Sequence, residues 1–268
     1  MTRKAKIGMW ALGWSLALTG GAMALPVNWG TTFQPAVTPV MQRIEDFHQF
    51  VFIIITAVCI FVLGLLVWIV IRYNAKANPV PSQVSHNTLL EVLWTLVPVL
   101  ILVVIAIPSF KLLYYEMIIP PADVTIKAIG HQWNWSYEYP GPNFQYDSLG
   151  LSDDAAKKAN EPRLLGVDNV VVVPVNKIVV VETVGSDVIH SWAVPQFGVK
   201  MDAVPGRINK TWFEATQIGT YYGECSELCG KFHAFMPIEV KVVSQADYDT
   251  WLAAAKKKYP VADDVAAK

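Results

Sequence analysis

Residues 50–71 and residues 92–110 are long apolar stretches that carry no Asp, Glu, Lys or Arg. About 20 apolar residues cross the hydrocarbon core of a bilayer as a helix, and neither stretch is long enough to do so twice. Each therefore predicts one membrane span. Pro98 and Pro108 fall inside the second, which membrane helices tolerate where neighbouring protein re-satisfies the backbone. Cys59, in the middle of the first, reads as a small membrane hydrophobe. Only 16% of the residues are charged and 53% are hydrophobic, against about 25% charged in a soluble domain. The net charge of -1 gives no global attraction to a polyanion, so a nucleic-acid partner is not expected. Three cysteines exclude a dense disulfide framework.

The segment between the spans holds Arg72 and Lys76, and its one acid, Glu91, stands at the far end. The positive-inside rule places this segment in the cytoplasm. Trp68, Tyr73 and Trp94 flank it, and Tyr114 and Tyr115 mark the opposite interface. The start of the chain agrees. Arg3, Lys4 and Lys6 precede an apolar stretch at residues 7–18, and small residues end in Ala22-Met23-Ala24. That is the layout of a secretory signal peptide, with cleavage expected after Ala24. The expected organisation is a signal peptide at 1–24, a periplasmic lead with two transmembrane helices at 25–118 (about 50–72 and 90–114), and a periplasmic domain at 119–268. The chain is then a multi-pass protein of a bacterial inner membrane, in contact with membrane lipids. Val40, Ile44 and Phe47 recur at helical spacing and predict an interfacial turn of helix before the first span. Glu91 stands where the second helix enters the membrane. It reads either as an interfacial carboxylate in water or as a proton-uptake group, since an acid at a span is otherwise costly.

From Pro120 onward the pattern changes. Short runs rich in β-branched residues, such as 124–129, 170–173, 178–184, 208–213 and 238–243, alternate with turns containing Gly, Pro and Asn. They predict an all-β sandwich or barrel. Residues 152–163 read as a loop or short surface helix, and 245–258 as a terminal helix whose last turn carries Lys256, Lys257 and Lys258. This region holds 18 acids against 14 bases. An acidic periplasmic face would steer a basic partner towards it.

The most specific stretch is Cys225-Ser226-Glu227-Leu228-Cys229-Gly230-Lys231-Phe232-His233-Ala234-Phe235-Met236, with His190 upstream. Two thiolates, two imidazoles and a thioether form a soft donor set that favours copper. A Cys225–Cys229 disulfide would leave His233 and Met236 without a purpose. A tetrahedral zinc site would leave Met236 surplus, and a mononuclear blue-copper site would leave one cysteine surplus. Two thiolates bridging two copper ions use every residue. One electron shared between bridged metals demands little change of geometry, which suits electron transfer rather than substrate chemistry.

With these features the sequence resembles subunit II of cytochrome c oxidase, of the haem-copper oxidase family. The resemblance covers nearly the whole chain. It rests on Gly130-His131-Gln132-Trp133, Trp135-Ser136-Tyr137-Glu138-Tyr139, His190-Ser191-Trp192-Ala193-Val194-Pro195, Asp202-Ala203-Val204-Pro205-Gly206-Arg207 and the cysteine stretch. It implies a two-helix transmembrane hairpin followed by a cupredoxin-like barrel. It implies a dinuclear CuA centre held by His190, Cys225, Cys229, His233 and Met236 with the backbone carbonyl of Glu227. The Glu227 side chain would reach a magnesium ion shared with subunit I. Trp133 would receive electrons from cytochrome c, and Glu138, Asp168 and Asp187 would form the acidic docking face, with Glu227 a further candidate. Glu91 would mark the mouth of a proton path into subunit I. Electrons would pass to haem, which the family holds only in the partner subunit I, where oxygen is reduced to water as protons are translocated; subunit III would complete the assembly. Asn134 departs from the family, many of whose members carry an aromatic there. No C-x-x-C-H occurs, so the fused cytochrome domain of some relatives is not expected. A quinol-oxidase subunit II should lack the copper ligands. A membrane-tethered copper-delivery module gives no reason for Glu91 or the Trp133 segment. The CuA region of a nitrous oxide reductase would not predict a two-span anchor.

Overall fold

The structure is a computed structural model, and it describes residues 22–24, 29–259 and 261. Two long helices precede all but the first strand of the chain. Helix α1, Pro39–Arg72, starts at Thr38, whose hydroxyl accepts the Met41 N–H (3.0 Å), with Pro39 in the first turn. Helix α2, Thr88–Met117, is capped by Asn87, which accepts the Leu90 N–H (3.2 Å). Both are long and apolar enough to cross a membrane, and their apolar windows are unburied by protein. Pro98 and Pro108 lie within a continuous α2.

Helix α1 has 34 residues, about 51 Å at 1.5 Å per residue, against a hydrocarbon core of about 30 Å. Its first turns therefore stand clear of the hydrocarbon. The turn of helix expected around residues 40–47 is the start of α1, which runs on into the first span. The helix continues there because Val40 and Ile44 pack on Val180 and Trp212 of the following domain rather than on lipid.

That domain consists of two sheets. The strands are β1 (Ala22–Ala24), β2 (Val124–His131), β3 (Asn134–Tyr139), β4 (Phe144–Ser148), β5 (Val171–Pro174), β6 (Ile178–Gly185), β7 (His190–Val194), β8 (Val199–Ala203), β9 (Asn209–Glu214), β10 (Gly219–Cys225) and β11 (Pro237–Val243). One sheet runs β5-β11-β10-β7-β8, with β1 paired to β10; the other runs β4-β3-β2-β6-β9. Most neighbours are antiparallel, whereas β2 with β6, β5 with β11 and β1 with β10 are parallel. Short helix α3 (Asp153–Ala159) and terminal helix α4 (Gln245–Lys258) complete the fold. Of the expected signal peptide, residues 1–21 lie outside the described residues; its last three form β1.

The inward faces of both sheets meet in one core that includes Trp135, Tyr137, Trp192, Phe197, Phe213 and Tyr221. A large aromatic buries 150–250 Å², roughly 4–6 kcal/mol of gross transfer free energy each. Trp212 ties the hairpin to this domain: its indole N–H donates to the Glu116 carbonyl (3.2 Å), and its ring meets Tyr115 edge-on at 5.5 Å. On the other side, Val37 donates to the Gln196 carbonyl (3.2 Å), and its own carbonyl accepts the Thr216 N–H (2.9 Å).

Candidate metal centre

Three neighbouring strands position the soft donors. His190 opens β7 and Cys225 closes β10, and these strands pair with Cys225 opposite Trp192. The chain then leaves the sheet and returns at β11, immediately after Met236. Its two ends are fastened by Cys225 N–H to the Met236 carbonyl (3.2 Å) and Ser226 N–H to the Ser191 carbonyl (2.9 Å). Between them lie Cys229 and His233, the latter in a short 3₁₀ turn, His233–Phe235. Donors 46 positions apart at the extremes of the motif thus share one end of one sheet.

The ligand atoms of His190, Cys225 and Cys229 all lie within 4.8 Å of one another, and all three residues are buried. The Nδ1 of His190 is 3.9 Å from Cys225 Sγ, and the Nδ1 of His233 is 3.6 Å from Cys229 Sγ. Met236 Sδ is 3.5 Å from Cys229 Sγ, and the Glu227 carbonyl oxygen is 3.4 Å from Cys225 Sγ. The two sulfurs stand 3.9 Å apart as free thiols, nearly twice a disulfide bond of about 2.05 Å. Each thiol therefore faces its own imidazole. This arrangement suits two soft ions bridged by sulfur better than one tetrahedral ion.

The electrostatics favour thiolate at one cysteine. Burial opposes ionisation of Cys225, but hydrogen bonds with His190 and backbone groups outweigh it and bring the thiol down to about 6. Burial and the neighbouring Cys225 push Cys229 up to about 12. A cation is the group that would let both ionise.

The orientation of His190 is fixed from behind. Its Nε2 donates to Asp187 Oδ1 at 2.9 Å, the carboxylate–histidine arrangement that holds metal-binding imidazoles in one tautomer. Asp187 also accepts the Gln132 N–H on Oδ2 (2.7 Å) and the Val188 N–H on Oδ1 (2.6 Å). Burial works against its ionisation, but the His190, Val188 and Gln132 bonds hold its carboxyl below the usual range. The His190 ring lies so close to Gly130 that a Cβ there would sit 2.6 Å from its Cδ2.

Trp133 sits at the β2–β3 turn, half-buried. Its indole N–H donates to the Cys229 carbonyl (3.2 Å), which also accepts the Gln132 side-chain amide (2.8 Å). Phe232 meets the Trp133 ring edge-on at 5.0 Å. Exposed Leu228, Phe232 and Phe235 give this end an apolar rim.

The other expected residues are spread more widely. The Glu227 side chain is exposed on the cysteine loop. Glu138 is paired with Lys127 at 3.0 Å, so its charge is partly neutralised. Asp168 is exposed and accepts the Leu149 N–H on one oxygen (2.7 Å). Glu91 occupies the first turn of α2, where a carboxylate complements the helix dipole. Sequence reasoning did not anticipate that Gln132 bonds the cysteine loop, nor that Asp187 orients His190; the D-x-x-H spacing was the available signal for the second.

The fold and the site together define a membrane-anchored, cupredoxin-like copper protein built to carry electrons. Comparison with known proteins narrows this. The family "Cytochrome C oxidase subunit II, periplasmic domain" matches residues 124–243, and "Cytochrome C oxidase subunit II, transmembrane domain" matches residues 26–112. A probable cytochrome c oxidase subunit 2 of Rickettsia conorii is 51% identical over 233 residues, covering 87% of this chain and 74% of that one. Cytochrome c oxidase subunit 2 of Cereibacter sphaeroides is 45% identical over 248 residues, covering 86% and 82%. The crystal structure of the periplasmic domain of subunit II of cytochrome oxidase of Bradyrhizobium japonicum is 54% identical, with a TM-score of 0.50; it covers 53% of this chain and 100% of its own. The chain belongs to the cytochrome c oxidase subunit II family.

Proposed function

We propose that His190, Cys225, Cys229, His233 and Met236, with the Glu227 carbonyl, hold a dinuclear CuA centre, and that this chain delivers electrons through it to haem in subunit I. The observation carrying this reading is that each of two free thiols faces its own imidazole Nδ1, with the thioether beside one of them. Copper bound there would supply one-electron chemistry, shared over two bridged ions. The protein's own residues do the rest. Asp187 keeps the His190 Nε2 proton, so Nδ1 remains a lone-pair donor. The tight sheet end fixes the donors, which limits reorganisation when charge changes.

In this reading Trp133 receives electrons from cytochrome c. Its hydrogen bond to the Cys229 carbonyl, followed by the bonds of Cys229 itself, provides a short route to a thiolate. Exposed Asp168 and Asp187 steer the cytochrome c; Glu138, already paired with Lys127, contributes less. The Glu227 side chain reaches a magnesium ion shared with subunit I, and Glu91 marks the mouth of a proton path. The assembly includes subunits I and III in a bacterial inner membrane, with the signal peptide at 1–24 removed, and β1 with it, and the domain from residue 119 in the periplasm.

The test is metal content and electron paramagnetic resonance on the purified oxidase. Two coppers per chain sharing one unpaired electron are expected, and Cys225→Ser should abolish the sharing. One copper with single-nucleus hyperfine structure would overturn the assignment.

A further inference from the structure

At the β-domain end of the hairpin, α1 and α2 enclose a cleft of about 260 Å³. Its walls divide by chemistry. Phe47, Phe50 and Leu112 are apolar, and Arg43, Asp46 and Lys111 are charged. The two groups are also layered by depth. The uncharged run of α1 begins at Phe50, and that of α2 ends at Phe110. Lys111 is thus the first charge beyond the hydrocarbon, while Asp46 and Arg43 lie about 6 and 10 Å further out along α1 at 1.5 Å per residue. The charges fall in and just above the lipid headgroup layer, and the aromatic wall reaches towards the acyl chains.

The two cations are free to act. Neither Arg43 nor Lys111 forms an ion pair among the described residues. The Arg43 guanidinium lies over the Tyr115 ring at 3.9 Å from its centre. Stacking occupies the face of a guanidinium and leaves its in-plane N–H fork available, the geometry that binds phosphate oxygens in pairs. Asp46 receives one hydrogen bond, from the Gln42 amide (3.1 Å), and is otherwise exposed.

We propose that this cleft binds one aminophospholipid. The phosphodiester lies between Arg43 and Lys111, the headgroup ammonium faces Asp46, and the start of an acyl chain runs along Phe47 and Phe50. Two cations beside one carboxylate complement a zwitterionic headgroup with N–H donors. A purely anionic headgroup would leave Asp46 facing negative charge, and a trimethylammonium headgroup could not donate to it. The proposal rests on the helices spanning a bilayer, not on the copper assignment.

The test uses the detergent-washed oxidase complex, with retained lipid counted by native mass spectrometry. The complex is then placed in nanodiscs of phosphatidylethanolamine or phosphatidylcholine. Wild type should keep one phosphatidylethanolamine more than Arg43→Gln/Lys111→Gln. Affinity for that lipid should fall about tenfold or more when charge-assisted phosphate bonds are removed. Asp46→Asn should narrow the preference for phosphatidylethanolamine over phosphatidylcholine. The copper spectrum of each variant should match wild type, which shows that the domain is folded; Lys111→Gln alone serves if the double variant is unstable. Equal lipid retention in wild type and variants overturns the proposal. So does loss of a partner subunit with lipid retention unchanged, since the cleft would then be a seam between proteins.

Discussion

Replacing Asp187 by Asn separates two roles that the structure gives one carboxylate. Asp187 accepts three hydrogen bonds: His190 Nε2 and Val188 N–H on one oxygen, Gln132 N–H on the other. An amide has one accepting oxygen. It will keep that oxygen towards His190 and Val188, the side with two donors. Its NH₂ group then meets the Gln132 N–H, donor against donor. The loss is one hydrogen bond to a charged group, about 1.5–3 kcal/mol, and the remaining two weaken as the charge disappears. Through the His190 bond, copper affinity should fall about 10–100-fold, the usual penalty for removing an orienting group behind a metal ligand. Through Gln132, the turn carrying Trp133 loosens, so transfer from bound cytochrome c should slow even at saturation. Association should also slow and lose part of its salt dependence, because an exposed charge is gone. Copper competition with a chelator, the hyperfine pattern of the copper signal, and stopped-flow reduction across ionic strength measure these separately. Asp168→Asn is the comparison: it holds only the Leu149 N–H and should alter association alone. If Asp187→Asn behaves like Asp168→Asn, with copper affinity and spectrum unchanged, the positioning argument fails.

Gly130→Ala would place a methyl 2.6–2.9 Å from three His190 atoms. It should cost about 1–3 kcal/mol of stability, as overpacking does, and broaden the copper signal; a wild-type spectrum and melting curve would show that the ring has room. Glu239 is buried in β11, where it accepts the Val167 N–H at 3.0 Å. Burial, reinforced by Glu161, raises its pKa to about 7 from 4.5. A raised carboxylate favours folding below its unfolded pKa, and that advantage is lost as pH rises to the folded value. The domain should therefore lose up to about 3 kcal/mol between pH 4.5 and 7 through this group. Glu239→Gln, which keeps an acceptor for Val167, should remove that slope from urea unfolding curves; a slope unchanged from wild type would refute the assignment.

Much of the architecture is written locally. Residues 50–71 and 92–110 had to be spans because lipid is the only solvent that accepts so many consecutive apolar side chains. The terminal helix is legible in Ser244, whose hydroxyl caps Asp247 (3.2 Å), and in the closing lysines. Strands β2, β6 and β11 appear as β-branched runs. By contrast, β4, β7 and β8 are short, and their residue types are mixed. They are strands because neighbours pair with them, which propensity does not record.

The same division holds at the metal centre. The sequence determined the donor set and its softness, because thiolate, imidazole and thioether chemistry belongs to the residues wherever they stand. It could not place His190, 35 positions before Cys225, beside that cysteine; the pairing of β7 with β10 did so. Nor could it show that Asp187 faces His190, that Gln132 and Trp133 both bond the Cys229 carbonyl, or that Glu138 spends its charge on Lys127. The Gln132 and Trp133 bonds join residues far apart in the chain, and the geometry of all these contacts depends on how two sheets pack and where loops return. Composition and spacing carry the chemistry of a site. Its tautomers, hydrogen-bond partners and electron route exist only once the chain has brought distant residues within about 3 Å of one another.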